Sequence, residues 1–220
     1  MAFDSPESAD YRNLPPLNRQ FLNLLGQDPA LQRSLSRLPD ALREKLCGLS
    51  APAIDRLAET PFLLCSFREY DDVHWARILN SGGTPDLFTP ESSPAVQTMV
   101  SAGLGYAWHL ARDNPFTLRL MTGAPLSWCE RIAELPFHEL LDAYHRSGEA
   151  PSIRLGHRQE LWRLLLGPGI SRRRELRRAA QLTALQAALS APANRVAWQR
   201  AASRVRRPGL EVADGGDIGI

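Results

Sequence analysis

Residues 17–29 read LNRQFLNLLGQDP, and they set the class of the fold. Leu17, Phe21, Leu24 and Leu25 fall at i, i+4, i+7 and i+8, one apolar stripe on a helix. Asp28-Pro29 then opens a second, short helix. The carboxylate suits the cap, and proline suits the first helical position, where its missing N–H is not needed. Leu38, Leu42, Leu46 and Leu49 supply the next stripe after Pro39. Ser50 is placed to cap a helix over 52–59 with Ile54, Leu57 and Ala58 turned inward, and Thr60-Pro61 ends it because a residue before proline avoids the helical region. The apolar run 62–67 fits a strand or a buried extended link, and length does not decide between them. Residues 73–79, with Trp75, Ile78 and Leu79, read as helix again.

Displaced by 86 residues, the chain matches itself without a gap. Pro29 falls on Pro115, Pro39 on Pro125, Glu44 on Glu130, Leu49 on Leu135, Arg68 on Arg154, Leu79 on Leu165 and Gly83 on Gly169. Helices are expected over 102–112, 115–121, 125–133, 136–145 and 159–166. Two copies are too few for a solenoid and suit a pseudo-symmetric pair, each unit covering the other's apolar face. The expected architecture is all-α: two related multi-helix units in tandem plus a basic C-terminal helical extension. Its parts are a flexible start (1–13), unit one (14–83), unit two (95–169), an arginine-rich extension (170–207) and a flexible tail (208–220). The linker between the units holds Ser81-Gly82-Gly83-Thr84-Pro85 and residues 91–94.

The chain has 220 residues, 44% of them hydrophobic and 23% charged, which is ordinary globular usage. Three well-separated cysteines, Cys47, Cys65 and Cys129, point away from a disulfide framework. The polar, acidic start resembles no secretory signal, and no run is apolar enough to span a bilayer, so the expected location is cytoplasmic. The net charge of +2 conceals a strong asymmetry. Residues 171–207 hold ten arginines against one acid, Glu175.

Catalytic and metal chemistry find little support. No C-x-x-C pair exists for zinc, and Asp71, Asp72 and His74 read as a solvated turn. His138 and His145 could share a helix face but lack a third ligand. All three cysteines sit in apolar stripes, where thiols pack as small hydrophobes. Neither a nucleophile elbow nor a phosphate-binding glycine loop is present, and the expectation is no enzyme, no metal and no cofactor. Arg68 and Arg154, each following an apolar run, are expected to pair with carboxylates or cap helix carbonyls.

The segment 49–68, LSAPAIDRLAETPFLLCSFR, resembles the FlhD family of flagellar and conjugative-element transcriptional regulators. Leu57, Ala58, Glu59, Thr60, Leu64, Cys65, Phe67 and Arg68 carry the likeness, and residues 17–49 look like the family's dimerising helices. The second unit keeps only Ile153-Arg154 of the signature. The resemblance implies an α-helical regulator working with an FlhC-like partner protein in transcription control, with the tandem units standing for a dimer fused in one chain. The chain departs from the family in being about twice as long.

The arginines themselves point to nucleic acid. Arg172, Arg173, Arg174, Arg177, Arg178, Arg195, Arg200 and Arg204 are the candidate contacts, because neutralising phosphates with arginine releases counterions. The alternative is a helical adaptor or assembly factor whose arginines are spent on its own acids or on a partner. A membrane partner is not expected, and the chain is either a monomer with a pseudo-two-fold repeat or a homodimer.

Overall fold

Caps and prolines set most of the element starts. In the computed structural model, which describes residues 8–80 and 93–190, a short α1 (Ser8–Tyr11) leads into α2 (Leu14–Leu25), α3 (Pro29–Gln32) and a 3-10 turn (Arg33–Arg37). There follow α4 (Asp40–Cys47), α5 (Ala51–Ala58), β1 (Cys65–Ser66) and α6 (Asp72–Asn80). The second half runs through α7 (Pro94–Asp113), α8 (Pro115–Thr122), α9 (Leu126–Glu134), α10 (Phe137–Arg146), β2 (Ser152–Ile153) and α11 (Gln159–Leu166). A 3-10 turn (Pro168–Ile170) then leads to α12 (Arg174–Leu189). The class is all-α, with a single two-residue ribbon among the described residues. The expected linker 81–85, the continuation of the basic segment past residue 190 and the tail 208–220 lie outside them.

The two halves follow one plan. Asp28 accepts from the backbone N–H groups of Ala30 and Leu31 to cap α3, and Asn114 does the same for Phe116 and Thr117 at α8. The starts of α3 and α8, of α4 and α9, and of α5 and α10 are 86 residues apart. From the ribbon onward the shift is 87: Cys65 against Ser152 for the strands, Asp72 against Gln159 for α6 and α11. The register has slipped by one because α10 has 10 residues where α5 has 8, and the link that follows is one residue shorter. Across the antiparallel ribbon Cys65 faces Ile153 and Ser66 faces Ser152, two rungs that exchange under the 87-residue shift. On the same shift, the Trp75 indole N–H donates to Phe67 O at 3.2 Å and the Trp162 indole N–H to Arg154 O at 3.1 Å. Arg68 and Leu155 share a left-handed backbone, with φ 60° and 51°. The structural counterpart of Arg68 is therefore Leu155, and that of Arg154 is Phe67.

One continuous core joins the halves, from Leu17 and Phe21 through Leu104 and Trp128 to Leu165. Packing is reciprocal. In one direction α6 lies on α10 and brings Trp75 to 5.5 Å from Trp128 of α9; in the other, α11 lies on α4. α7 is eight residues longer at its start than its apolar pattern suggests, because Ser93 caps it through the Val96 N–H and Pro94 takes the first turn. Gly103 on α7 meets the Phe67 ring so closely that a Cβ there would stand 2.6 Å from it. Asn18, fully buried, holds the crossover after α5. Its amide donates to the carbonyls of Ala58, Thr60 and Phe62, and its oxygen accepts from the Leu64 N–H at 2.8 Å. An apolar side chain there would leave those groups unpaired in the core.

Candidate nucleic-acid interface

α12 begins at Arg174, with Arg172 and Arg173 in the extended lead-in and Ser171 Oγ accepting from the Arg173 N–H. The helix is seated by small residues. Ala180, Ala184 and Ala188 are buried, and Gln181 donates to the carbonyls of Arg56 and Gly169. Alanines permit close approach to the body and leave the longer side chains outside. Arg177 lies on the seated face: its Nε donates to Glu59 at 2.9 Å and its Nη1 to Ser171 O at 2.9 Å. Arg172, Arg173, Arg174 and Arg178 are exposed and make no ion pair among the described residues. Leu176 and Leu182, 49% and 50% exposed, flank them on the same helix. Arg195, Arg200 and Arg204 lie outside the described residues, so of the eight candidate arginines the structure gathers four into an open cluster and spends one on the body.

The two arginines read from the repeat have unlike surroundings. Arg154 is 3% exposed and Glu69, facing it at 2.5 Å, is fully buried. The guanidinium also donates to Leu63 O at 2.6 Å, Cys65 O at 2.5 Å and Thr122 O, and Glu69 accepts from Ser66 Oγ. All three guanidinium nitrogens and both carboxylate oxygens of this pair are engaged, which is the condition for a buried ion pair to persist. Arg68 is 42% exposed and bonds both oxygens of Glu149, at 2.8 and 2.9 Å, and Asp71 at 2.5 Å. Hydrogen bonds from the His74 N–H and from Arg68 hold the Asp71 carboxyl below its ordinary range.

The expectation of a solvated turn holds for Asp71 and Asp72, whose side chains are 37% and 65% exposed, and is corrected for His74. His74 is buried, its Nδ1 3.3 Å from Glu149, and its Nε2 has no hydrogen-bond partner among the described residues. The sequence hides this because Trp75 drags the first turn of α6 inward with it. Burial pushes the His74 pKa down, opposed by Glu149 and aided by Arg68 and Arg77.

Cys65 and Cys129 pack in the core, and burial lifts the Cys65 thiol to about 12, which makes it unreactive. Cys47 is exposed, contrary to its expected place in a stripe: Leu42 and Leu46, at i and i+4, take the inner face and leave the next position outside. His138 and His145 are exposed. Among the described residues no group of three or more histidines, cysteines or acids is placed to hold a metal ion, and no helix is long and apolar enough to cross a membrane. The sequence matches no protein-family model, and neither a curated protein nor a solved structure matches it.

Proposed function

We propose that this chain is a bacterial regulatory protein, built from a duplicated helical unit, that acts in transcription control by docking an FlhC-like partner protein and contacting DNA phosphates through the arginines at the start of α12. The observation that carries the reading is the charge left over there. Arg172, Arg173, Arg174 and Arg178 stand in solvent with no ion pair to a carboxylate among the described residues, where self-repulsion is relieved by an external anion. The protein would be no enzyme, and its partner contacts would decide the promoter at which it acts.

Fluorescence anisotropy with a labelled duplex, run as a salt series, tests the reading. Changing Arg172, Arg173, Arg174 and Arg178 together to Gln should weaken binding and reduce the log–log salt slope by up to about 3.6, from four phosphate contacts at about 0.9 each. An unchanged slope removes α12 as the contact surface.

A second reading has its own support. Leu182, 50% exposed, continues the row of Arg174 and Arg178 at four-residue spacing, a mixed apolar and basic strip that also suits an acidic helix of another protein. An adaptor of this kind predicts no DNA affinity from the purified chain, and loss of partner capture on Leu182→Asp.

A further inference from the structure

A cleft of about 1090 Å³ lies over the ribbon at the junction of the two halves, remote in sequence from the start of α12. Its two sides differ in charge. On the side of β2, on which the 3-10 turn of the first half packs, Arg37 of that turn and His157 are exposed and have no hydrogen-bond or ion-pair partner among the described residues. Arg158 uses Nη1 on Ala187 O at 2.8 Å and keeps its other donors. The Ser152 hydroxyl, on the floor, has no partner among the described residues. On the other side the acids are already matched, Asp71 by Arg68 at 2.5 Å and Asp72 by Arg131 at 3.7 Å. That side also offers apolar surface: Val73 is 80% exposed, and the Tyr70 ring is held by its hydroxyl's bond to Gly123 O.

Sequence position sharpens the contrast. On the 87-residue shift Arg158 is the counterpart of Asp71. Asp71 accepts from the His74 N–H at the start of α6, whereas Arg158 stands at the head of α11 and offers no side-chain cap. An arginine is the wrong residue for capping, where a carboxylate or hydroxyl is preferred. The position has been given to a cation facing a cleft instead.

We propose that this cleft binds a small organic anion, a carboxylate or phosphate on an apolar body, with Arg37, Arg158 and His157 taking the charged head and Val73 and Tyr70 covering the body. The volume suits a single ligand of that kind. Guanidinium pairs match either headgroup through two parallel hydrogen bonds.

Isothermal titration calorimetry on the full chain tests this with 1-naphthoate, 1-naphthyl phosphate and neutral 1-naphthalenemethanol. At least one of the two anions should bind saturably, at least about tenfold more tightly than the alcohol, as expected for hydrogen bonds to a charged group. The two anionic arms separate a carboxylate site from a phosphate site. Arg158→Asp exchanges the cation for the residue type its counterpart already uses as a cap, so the chain should stay folded while anion affinity falls by about tenfold or more. Val73→Glu, on a solvent-exposed side chain, should weaken the same anion while leaving the melting temperature in place. No saturable heat from either anion, an alcohol that binds as well as the anions, or anion affinity unmoved in both folded variants overturns the proposal.

Discussion

Arg68 and Arg154 align in an ungapped match of the chain with itself, yet they are not structural counterparts. One is half in solvent, bonded to Glu149 and Asp71; the other is 3% exposed and sealed against Glu69 and three carbonyls. A single residue separates them. Each half turns through a left-handed residue just after its strand, Arg68 or Leu155, and the buried place is the one before it, so a slip of one carries the arginine from the open place to the buried one. The extra residue near the end of α10 makes that slip. Arg154 thereby takes the inward place that Phe67 fills in the first half, and a buried cation has been exchanged for a buried ring. Pairing Glu69 with it keeps the exchange tolerable.

The largest expected break in this comparison is Arg154→Ala. It strands a fully buried carboxylate, and chemical denaturation should show a loss of about 3–5 kcal/mol. Replacing Arg154 and Glu69 together with leucine should recover a good part of that loss, since no charge is then left unpaired. A stability near that of the parent chain for Arg154→Ala alone would mean that Glu69 reaches water.

An intermediate effect is expected at the outer cluster, where His74 meets Glu149, Arg68, Arg77 and Asp71. The folded chain holds His74 below its ordinary pKa of 6.5. Between the folded and the ordinary value the unfolded chain binds a proton that the folded one refuses. Stability is therefore full above about pH 6.5 and declines as the pH falls below it. Asp71 and Asp28, whose pKa values are lowered, add a separate loss only around and below 3.8. Denaturation midpoints followed from pH 7.5 to 5 should fall in the parent chain and stay flatter in His74→Gln.

The smallest effect belongs to Arg68→Ala. Its ion pairs are open to solvent, and denaturation should register less than about 1 kcal/mol. Equal losses at Arg68 and Arg154 would erase the distinction between the two positions.

Much of the helical scaffold is legible without coordinates. Asp28-Pro29, Pro39 and Thr60-Pro61 mark boundaries that the structure keeps within a residue or two, because capping and proline chemistry act over only a few bonds. The start of α7 is the exception: its first two turns carry Gln97 and Thr98 and precede the helix read over 102–112, although Val96, Met99 and Val100 are buried. At the candidate interface, the arginines at 172–174 and 178 announce themselves by composition. That Arg177 is the one turned inward depends on where Glu59 lies, 118 residues earlier.

The amino-acid order alone determined the helical class, the cap at Asp28 (though not at Ser50, whose hydroxyl caps nothing), the internal match and the concentration of arginine after residue 170. All are local or periodic, so the chain need not fold for them to be read. Tertiary structure decided which of two matched arginines is buried, that Asn18 serves four backbone groups of the crossover, that His74 leaves solvent, and that Arg37, His157 and Arg158 meet around one cleft. Each of these depends on groups brought together from distant parts of the chain, and at the ribbon on a register that one added residue reverses. Burial is a property of that assembly, and a side chain carries no mark of it in its own identity.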